Sequence, residues 1–451
     1  MLEKKKRKNI FDRIALVLFF LSVICLVFVL GVFLGGKKMF PYHVMKNMED
    51  TFLTAVGLHE DTVTRHHYLS DAWYDYSGAR IHDANSMMKG VTLLTSYWPS
   101  LGWKSGIQLI DSTGRVLHQW KVNPAKIWPK SPYKDHVRNQ KNTSYNYVHG
   151  CYLFDNGDVI FNVEYMGLVR MNASGKVLWT MSDYRTHHSI SRDEDGNFWV
   201  CGLRWIEDTP EGRARLADYP GLRFPVGEDF ALKVSEDGKL LREISIIKVL
   251  YQNGYEQLIR QSRKRTDDIL HMNDVETLRS DMANQYPLFN AGDILISCRF
   301  LNAVFVIDKD TEKIKWYCSR FLQQHDPDFL KNGWISVFDN NNDGADNGYY
   351  PGGSRIVAVK PGRDELRIFY PKNNEPEFYT TYGGKVQYLA NGNMLITEAW
   401  RGRVFETDSS GRIVWEWVQE RYNDDLVPEV LEGTRYPFTP EQIAGWETNS
   451  P

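Results

Sequence analysis

Apolar and polar positions alternate along most of this chain, and the alternation breaks at glycine-bearing turns that recur at regular intervals. The recurring unit is a strand, a tight turn and a second strand that often ends in an aromatic. It reads GIQLIDSTGRVLHQW at 106–120, GLVRMNASGKVLWTM at 167–181, ALKVSEDGKLLREI at 231–244, AVFVIDKDTEKIKW at 303–316, RIVAVKPGRDELRIF at 355–369 and RVFETDSSGRIVWEW at 403–417. Apolar residues at a period of two on both sides of a turn predict a β-hairpin. A second hairpin lies between copies, with turns DNGD at 155–158, DEDGN at 193–197, NAGD at 290–293, KNGW at 331–334 and ANGN at 390–393. Two hairpins per repeat make a four-stranded blade, and a period of about 50 residues suits a propeller repeat. The spacing is fixed where no insertion intervenes: Gly292 to Asp308 and Gly392 to Asp408 are each sixteen residues. A β-sandwich also strings short strands together, but it has no reason to repeat itself six times. The sequence therefore predicts an all-β, six-bladed β-propeller, whose blades resolve their exposed edges by packing around a central channel.

The pattern fails at the start of the chain and at two insertions. Ile14 to Leu34 is a run of 21 residues without a charge, long enough to span a bilayer. Lys4, Lys5, Lys6, Arg7, Lys8 and Arg13 precede it and Lys37 and Lys38 follow it. The heavier positive flank predicts a cytoplasmic N-terminus and a translocated C-terminal bulk. The run is longer than a signal-peptide core and no Ala-x-Ala site follows, which favours an uncleaved signal anchor. The expected organisation is a basic stub at 1–13, the anchor at 14–34, a helical juxtamembrane stalk at 35–80, the propeller at 81–420 and a C-terminal tail at 421–451 packing on it. Two insertions interrupt the repeats, at 203–229 and as a helical stretch near 245–268.

Composition adds little. Net charge is −3 and charged residues are 25% of the chain, so nothing offers an electrostatic footprint for nucleic acid. Cys25 lies in the anchor, while Cys151, Cys201, Cys298 and Cys318 are spread over the repeats with no Cys-x-x-Cys pair to signal zinc or a redox dithiol.

Histidine carries the chemistry. His149, His188 and His325 each stand eight residues before a turn glycine, at Gly157, Gly196 and Gly333; His271 precedes a longer loop before Gly292. The first strand of every propeller blade lines the channel, so residues at one register in successive blades converge. His149, His188, His271 and His325 are thus expected around one cavity, and polar groups clustered on a channel are usually functional. A smaller signal is the segment Asp339 to Gly344, in which Asp339, Asn341 and Asp343 alternate as in the first half of a calcium loop. Tyr350 stands where the bidentate glutamate belongs, so an Asn/Gly-rich blade loop is the plainer reading.

The segments HMNDVETL at 271–278, ISCRFLNAVFVID at 296–308, QHDPDFLKNGWISVFDNN at 324–341 and GNMLITEAWRGRVFE at 392–406, with THHSISRDEDGN at 186–197, resemble the arylsulfotransferase family of β-propellers. The resemblance covers about residues 90–420 and implies six blades, in agreement with the repeats. It implies transfer of a sulfo group from an aryl sulfate donor to a phenolic acceptor through a sulfated histidine, with no cofactor. The family nucleophile falls on His325, and the supporting catalytic residues on His188, His271 and Arg299. An arginine suits an oxyanion by its fixed fork of donors. A neutral imidazole is both nucleophile and leaving group, and a second imidazole, His271 or His188, can move the phenol's proton. Asn273 and Asp274 stand where they could orient a ring, and with His149 complete the expected substrate-binding set. The membrane anchor departs from the soluble members of the family. It places the propeller outside the cytoplasm, in the periplasm of a Gram-negative cell. Two other readings stand beside this one: a histidine-ligated metal enzyme, against which Arg299 speaks as a nearby cation, and a non-catalytic envelope scaffold, which has no need of the His and Arg set.

Overall fold

The computed structural model describes residues 2–36, 68–133, 147–262, 267–342, 352–372 and 378–448. They form two units, divided after His67. In the first, one helix, Leu2–Gly36, contains the span Ala15–Phe33, long and apolar enough to cross a membrane, with mean hydropathy 3.2 and no residue buried. Most of the expected stalk, 37–67, lies outside the described residues.

The second unit is a six-bladed β-propeller of antiparallel sheets. Six innermost strands stand around the axis: Val148–Leu153, Arg185–Arg192, Met272–Thr277, His325–Phe329, Lys385–Tyr388 and Glu432–Tyr436. Each touches the next, and the last touches the first, which closes the ring. Four sheets simply run outward in chain order, and the Lys385 sheet gains a fifth, outermost strand, Gly78–Ile81. The sixth blade is composite: Glu432–Tyr436 pairs with Val91–Trp98, so a strand from the C-terminal end is the inner edge of a blade built from the N-terminal end. The segment 421–451, expected to pack on the propeller, therefore supplies part of it. Arg435 on that strand is buried, its Nε donating to Thr92 Oγ1 at 2.8 Å and its Nη1 pairing with Glu406 Oε2 at 3.2 Å, so it ties the closing strand to its own blade and to the neighbouring one.

The core lies between blades. Ile160 and Leu168 of one blade pack against Phe198, Val200, Phe230 and Leu232 of the next. Second and third strands are thus covered on both faces: Ile294–Cys298 and Ala303–Ile307 are buried at every position. Only outer strands such as Val177–Met181 keep one wet face. Burying each such Val, Leu, Ile or Phe contributes about 1.5–3 kcal/mol.

The second insertion folds as helices Ile246–Gln252 and Glu256–Gln261, and Ile246, Ile247, Val249 and Leu250 sink into the core. Ser245 caps the first by accepting from Lys248 N. These helices deliver residues 267–270 to the end of the inner strand that begins after His271.

Candidate functional site

The inner strands are irregular where the histidines stand. Pairing registers shift between Val148 and Cys151, between His187 and Ile190, between Met272 and Asp274, and between His325 and Asp328. A bulge re-aims the side chain it carries. The backbone is strained there as well: His188, His271, Gln323 and Asp326 have φ of 55°, 50°, 56° and 47°. Non-glycine residues in the left-handed region cost about 1–3 kcal/mol each and cluster at functional sites. One glycine is required by the same crowding: a Cβ on Gly150 would lie 2.2 Å from the His188 carbonyl oxygen, so only glycine lets these two bulges touch.

The four histidines are brought together. The His188 ring lies 4.4 Å from that of His149, 4.9 Å from that of His271 and 6.0 Å from that of His325, centroid to centroid. Each has its own partner. His325 Nδ1 is 2.6 Å from Asn340 Oδ1. The Asn340 amide nitrogen donates to the carbonyls of Thr380 and Gly383 at 2.9 and 2.7 Å, which fixes which end of the amide is oxygen. His325 Nδ1 therefore carries the proton, and Nε2 keeps its lone pair and accepts from the Gly383 backbone N–H at 3.3 Å. His271 Nδ1 is hydrogen-bonded to Asp268 Oδ2. His188 Nδ1 is 2.8 Å from His187 Nδ1, and His187 Nε2 lies 3.8 Å from Asp229 Oδ1.

Arg299 follows directly on Ile294–Cys298, the second strand of its blade, and its backbone N–H donates to the His271 carbonyl at 3.0 Å. Its guanidinium donates to Gln323 Oε1 at 2.9 Å and lies 5.6 Å from the Tyr382 ring centre. Burial, and then the Arg299 charge, hold His325 well below the usual histidine range. Burial likewise pushes His188 well down and His149 to about 3. All three imidazoles are neutral at pH 7.

Asn273 is buried and donates to the Gln324 carbonyl at 2.7 Å, while its Oδ1 has no hydrogen-bond partner. Asp274 is buried too; desolvation and then nearby Asp326 raise it to about 8, so it is protonated at neutral pH. Of the calcium-loop residues, Asp339 is spent on the fold: it accepts from the backbone N–H of Leu322 and Asn341 and pairs with Arg355 at 2.9 Å. Asn341 donates to the Gly353 carbonyl, and Asp343 lies outside the described residues.

Reading residues one by one misses Asn340, Asp268, His187 and Glu164. Glu164 Oε1 is 4.0 Å from His149 Nδ1, and Glu164 Oε2 accepts from the Tyr68 hydroxyl. Asp268 stands three residues before His271 and His187 beside His188, so proximity in sequence was a signal for both. None marked Asn340.

Residues 150–421 match the family described as Arylsulfotransferase (ASST). His188, His271, Arg299, His325 and Asn340 fall within the matched stretch, and His149 just before it. No curated protein is found as a relative. Among solved structures, a protein of unknown function from Bacteroides caccae is 14% identical, with a TM-score of 0.43, over 73% of this chain and 94% of its own. A catalytically inactive virginiamycin B lyase variant from Staphylococcus aureus, solved with quinupristin, is 13% identical, with a TM-score of 0.39, over 78% of this chain and 88% of its own. These likenesses bring no activity to this chain. The family match spans more than half of its length, and the chain belongs to the arylsulfotransferase family.

Proposed function

We propose that this protein moves a sulfo group from an aryl sulfate to a phenolic acceptor through a sulfated His325. The observation that carries the reading is the His325–Asn340 bond, because it leaves a neutral imidazole with its Nε2 lone pair near a half-buried arginine, Arg299, whose charge is felt at His325. In the first half-reaction Nε2 attacks sulfur and the S–O bond to the aryl group breaks. The departing phenolate takes a proton from His271, oriented through Nδ1 by Asp268. Arg299 balances charge on the sulfuryl oxygens as the bond breaks. In the second half-reaction His271 accepts the acceptor's proton, the phenol oxygen attacks sulfur and the N–S bond breaks, restoring His325. His188, and His149 and Asn273 with it, line the same cavity and shape the place of the ring; Asp274, uncharged, adds a donor.

The proposed setting is the outer side of a membrane, with residues 14–34 as the anchor, the N-terminus cytoplasmic and the propeller in the periplasm of a Gram-negative host. The stub, stalk, propeller and tail boundaries given by the sequence remain part of this proposal, except that the tail is counted into the ring and the strand Gly78–Ile81, which begins inside the expected stalk, belongs to a blade. A fluorescent reporter that matures only in the cytoplasm, fused after Pro451, is expected to stay dark. For the chemistry, the full-length protein is exposed to an aryl sulfate, quenched and digested. A mass gain of one SO₃ on the peptide bearing His325 is expected; phenol release with the label on another residue, or no phenol release at all, refutes the reading.

A further inference from the structure

The channel holds a second constellation, which shares His149 and His188 with the wall of the substrate cavity and adds Glu164, a group the sulfo-transfer reading leaves unused. Glu164 stands just beyond the strand Val159–Val163, with its carboxylate turned to His149. Donor atoms of His149, Glu164 and His188 all lie within 4.8 Å of one another. His149 Nδ1 is buried and makes no hydrogen bond, although a carboxylate oxygen faces it at 4.0 Å, a distance beyond hydrogen-bonding reach.

We propose that His149, Glu164 and His188 bind one divalent first-row transition-metal ion of the zinc and ferrous class, as a two-histidine, one-carboxylate set. Imidazole and carboxylate are the donors that such ions take, and three protein ligands leave positions open. An ion about 2.1 Å from each donor holds the donors about 3.0–3.5 Å apart, so rotamer adjustments on the order of 1 Å close the set.

The surroundings are those of a supported metal site. Ligating side chains are held by hydrogen bonds to their remaining polar atoms, which orient them and tune their donor strength. The Tyr68 hydroxyl donates to Glu164 Oε2, and Oε1 is the oxygen turned to His149. His188 Nδ1 is paired with His187 Nδ1 at 2.8 Å, which leaves Nε2 as the ligand atom. The Tyr68 ring lies tilted 3.8 Å from that of Tyr147, centroid to centroid, and stacks beside Tyr97, giving one side of the site an aromatic wall. Arg299 is engaged away from the three donors: its guanidinium donates to Gln323 Oε1 at 2.9 Å and lies 5.6 Å from the Tyr382 ring centre. Lys385, whose charge is felt at His149, is paired with Glu432 at 2.6 Å. The ion's open positions suit an anionic oxygen such as a sulfate or phenolate. The proposal supplies no step to the sulfo transfer above and does not rest on it.

The test uses the full chain in detergent, stripped with a chelator and titrated with Co²⁺ and Zn²⁺. Co²⁺ is read by visible absorption and bound metal by elemental analysis after desalting. One equivalent per chain is expected in the wild type and in His82→Ala, which removes a surface His–Glu pair and controls for adventitious sites. His149→Ala and Glu164→Gln are expected to lose the tight equivalent. Tyr68→Phe keeps all three ligands and the ring stacking, and is expected to weaken affinity about 10-fold or more, as lost ligand support typically does. That variant decides the matter if a ligand substitution impairs folding. Less than a tenth of an equivalent in the wild type overturns the proposal, and so does wild-type affinity in both Glu164→Gln and Tyr68→Phe. Phenol release without bound metal would leave the sulfo-transfer reading intact while ending this one.

Discussion

Replacing Asn340 with leucine tests the site at its least obvious point. The side chains are close in volume, so the change deletes three hydrogen bonds and little packing: the bond to His325 Nδ1 and the donations to the Thr380 and Gly383 carbonyls. As His325 Nε2 bonds to sulfur, the ring becomes cationic and its Nδ1–H···Oδ1 bond becomes charge-assisted. Such bonds are worth about 1.5–3 kcal/mol, and each 1.36 kcal/mol is tenfold in rate. The variant should therefore lose about 10–100-fold in the phenol burst, with the loss in kcat rather than KM because the bond strengthens only as the reaction proceeds. The abandoned carbonyls are buried, so the unfolding free energy should also fall by about 2–3 kcal/mol. Asn340→Asp separates the catalytic effect from the structural one. A carboxylate at Oδ1 favours the imidazolium, so the acid limb of the burst should move upward in pH, which a purely structural defect would not do. The assay is rapid-quench release of phenol from an aryl sulfate, with far-UV circular dichroism to show that each variant is folded. A folded Asn340→Leu whose burst stays within twofold of wild type, together with an unmoved acid limb in Asn340→Asp, refutes the argument for His325.

The other predictions concern the neighbouring residues. His325→Ala should abolish both half-reactions, and Arg299→Ala should lower turnover by about two orders of magnitude, near 3 kcal/mol, with little change in KM; normal turnover in folded His325→Ala moves the chemistry elsewhere. His271→Ala should slow donors with poor leaving groups more than donors with good ones, with Asp268→Asn following in the same sense, and equal losses across a leaving-group series would contradict the proton role. Because burial and Arg299 hold His325 well below the usual histidine range, a donor with a good leaving group should release phenol with no acid limb near pH 6.5, the ordinary histidine value, and a limb there would place a different imidazole at sulfur. Asp274 gives a stability prediction of definite sign: its folded value, about 8, lies above its unfolded one, so its contribution is full at low pH and is lost as pH rises towards 8. Relative to wild type, Asp274→Asn should gain up to about 1.4 kcal/mol per pH unit between pH 5 and 8, read by denaturant unfolding, and parallel curves would show the group is not protonated in the fold.

Hairpins are local objects, and for that reason the blades were legible in the chain. A glycine turn flanked by period-two alternation is decided within about fifteen residues, and six copies set the number of blades without any long-range contact being known. The convergence of His149, His188, His271 and His325 was legible for a related reason, since a repeat carries one register to one height on the axis. The apolar span Ala15–Phe33 needed only composition. The tertiary structure decided whatever depends on separate segments meeting. The chain does not announce that Glu432–Tyr436 will pair with Val91–Trp98, more than 300 residues away, because closing the ring is a property of the finished circle. Asn340 reads as one more asparagine in a blade loop until the fold sets its oxygen against His325 and its nitrogen against two carbonyls on the next blade. Glu164 and Tyr68 are 96 residues apart and meet beside His149 only because Tyr68, just before the strand Leu69–Asp71, is held there by that strand's pairing with Leu426–Pro428. Even adjacent His187 and His188 needed coordinates: neighbours on a regular strand point to opposite faces, and the register shift with φ of 55° at His188 turns their Nδ1 atoms towards each other. The periodicity of the sequence determined the scaffold and the height of the site, while the bulges and the partners from other blades determined which nitrogen of each imidazole is left to react.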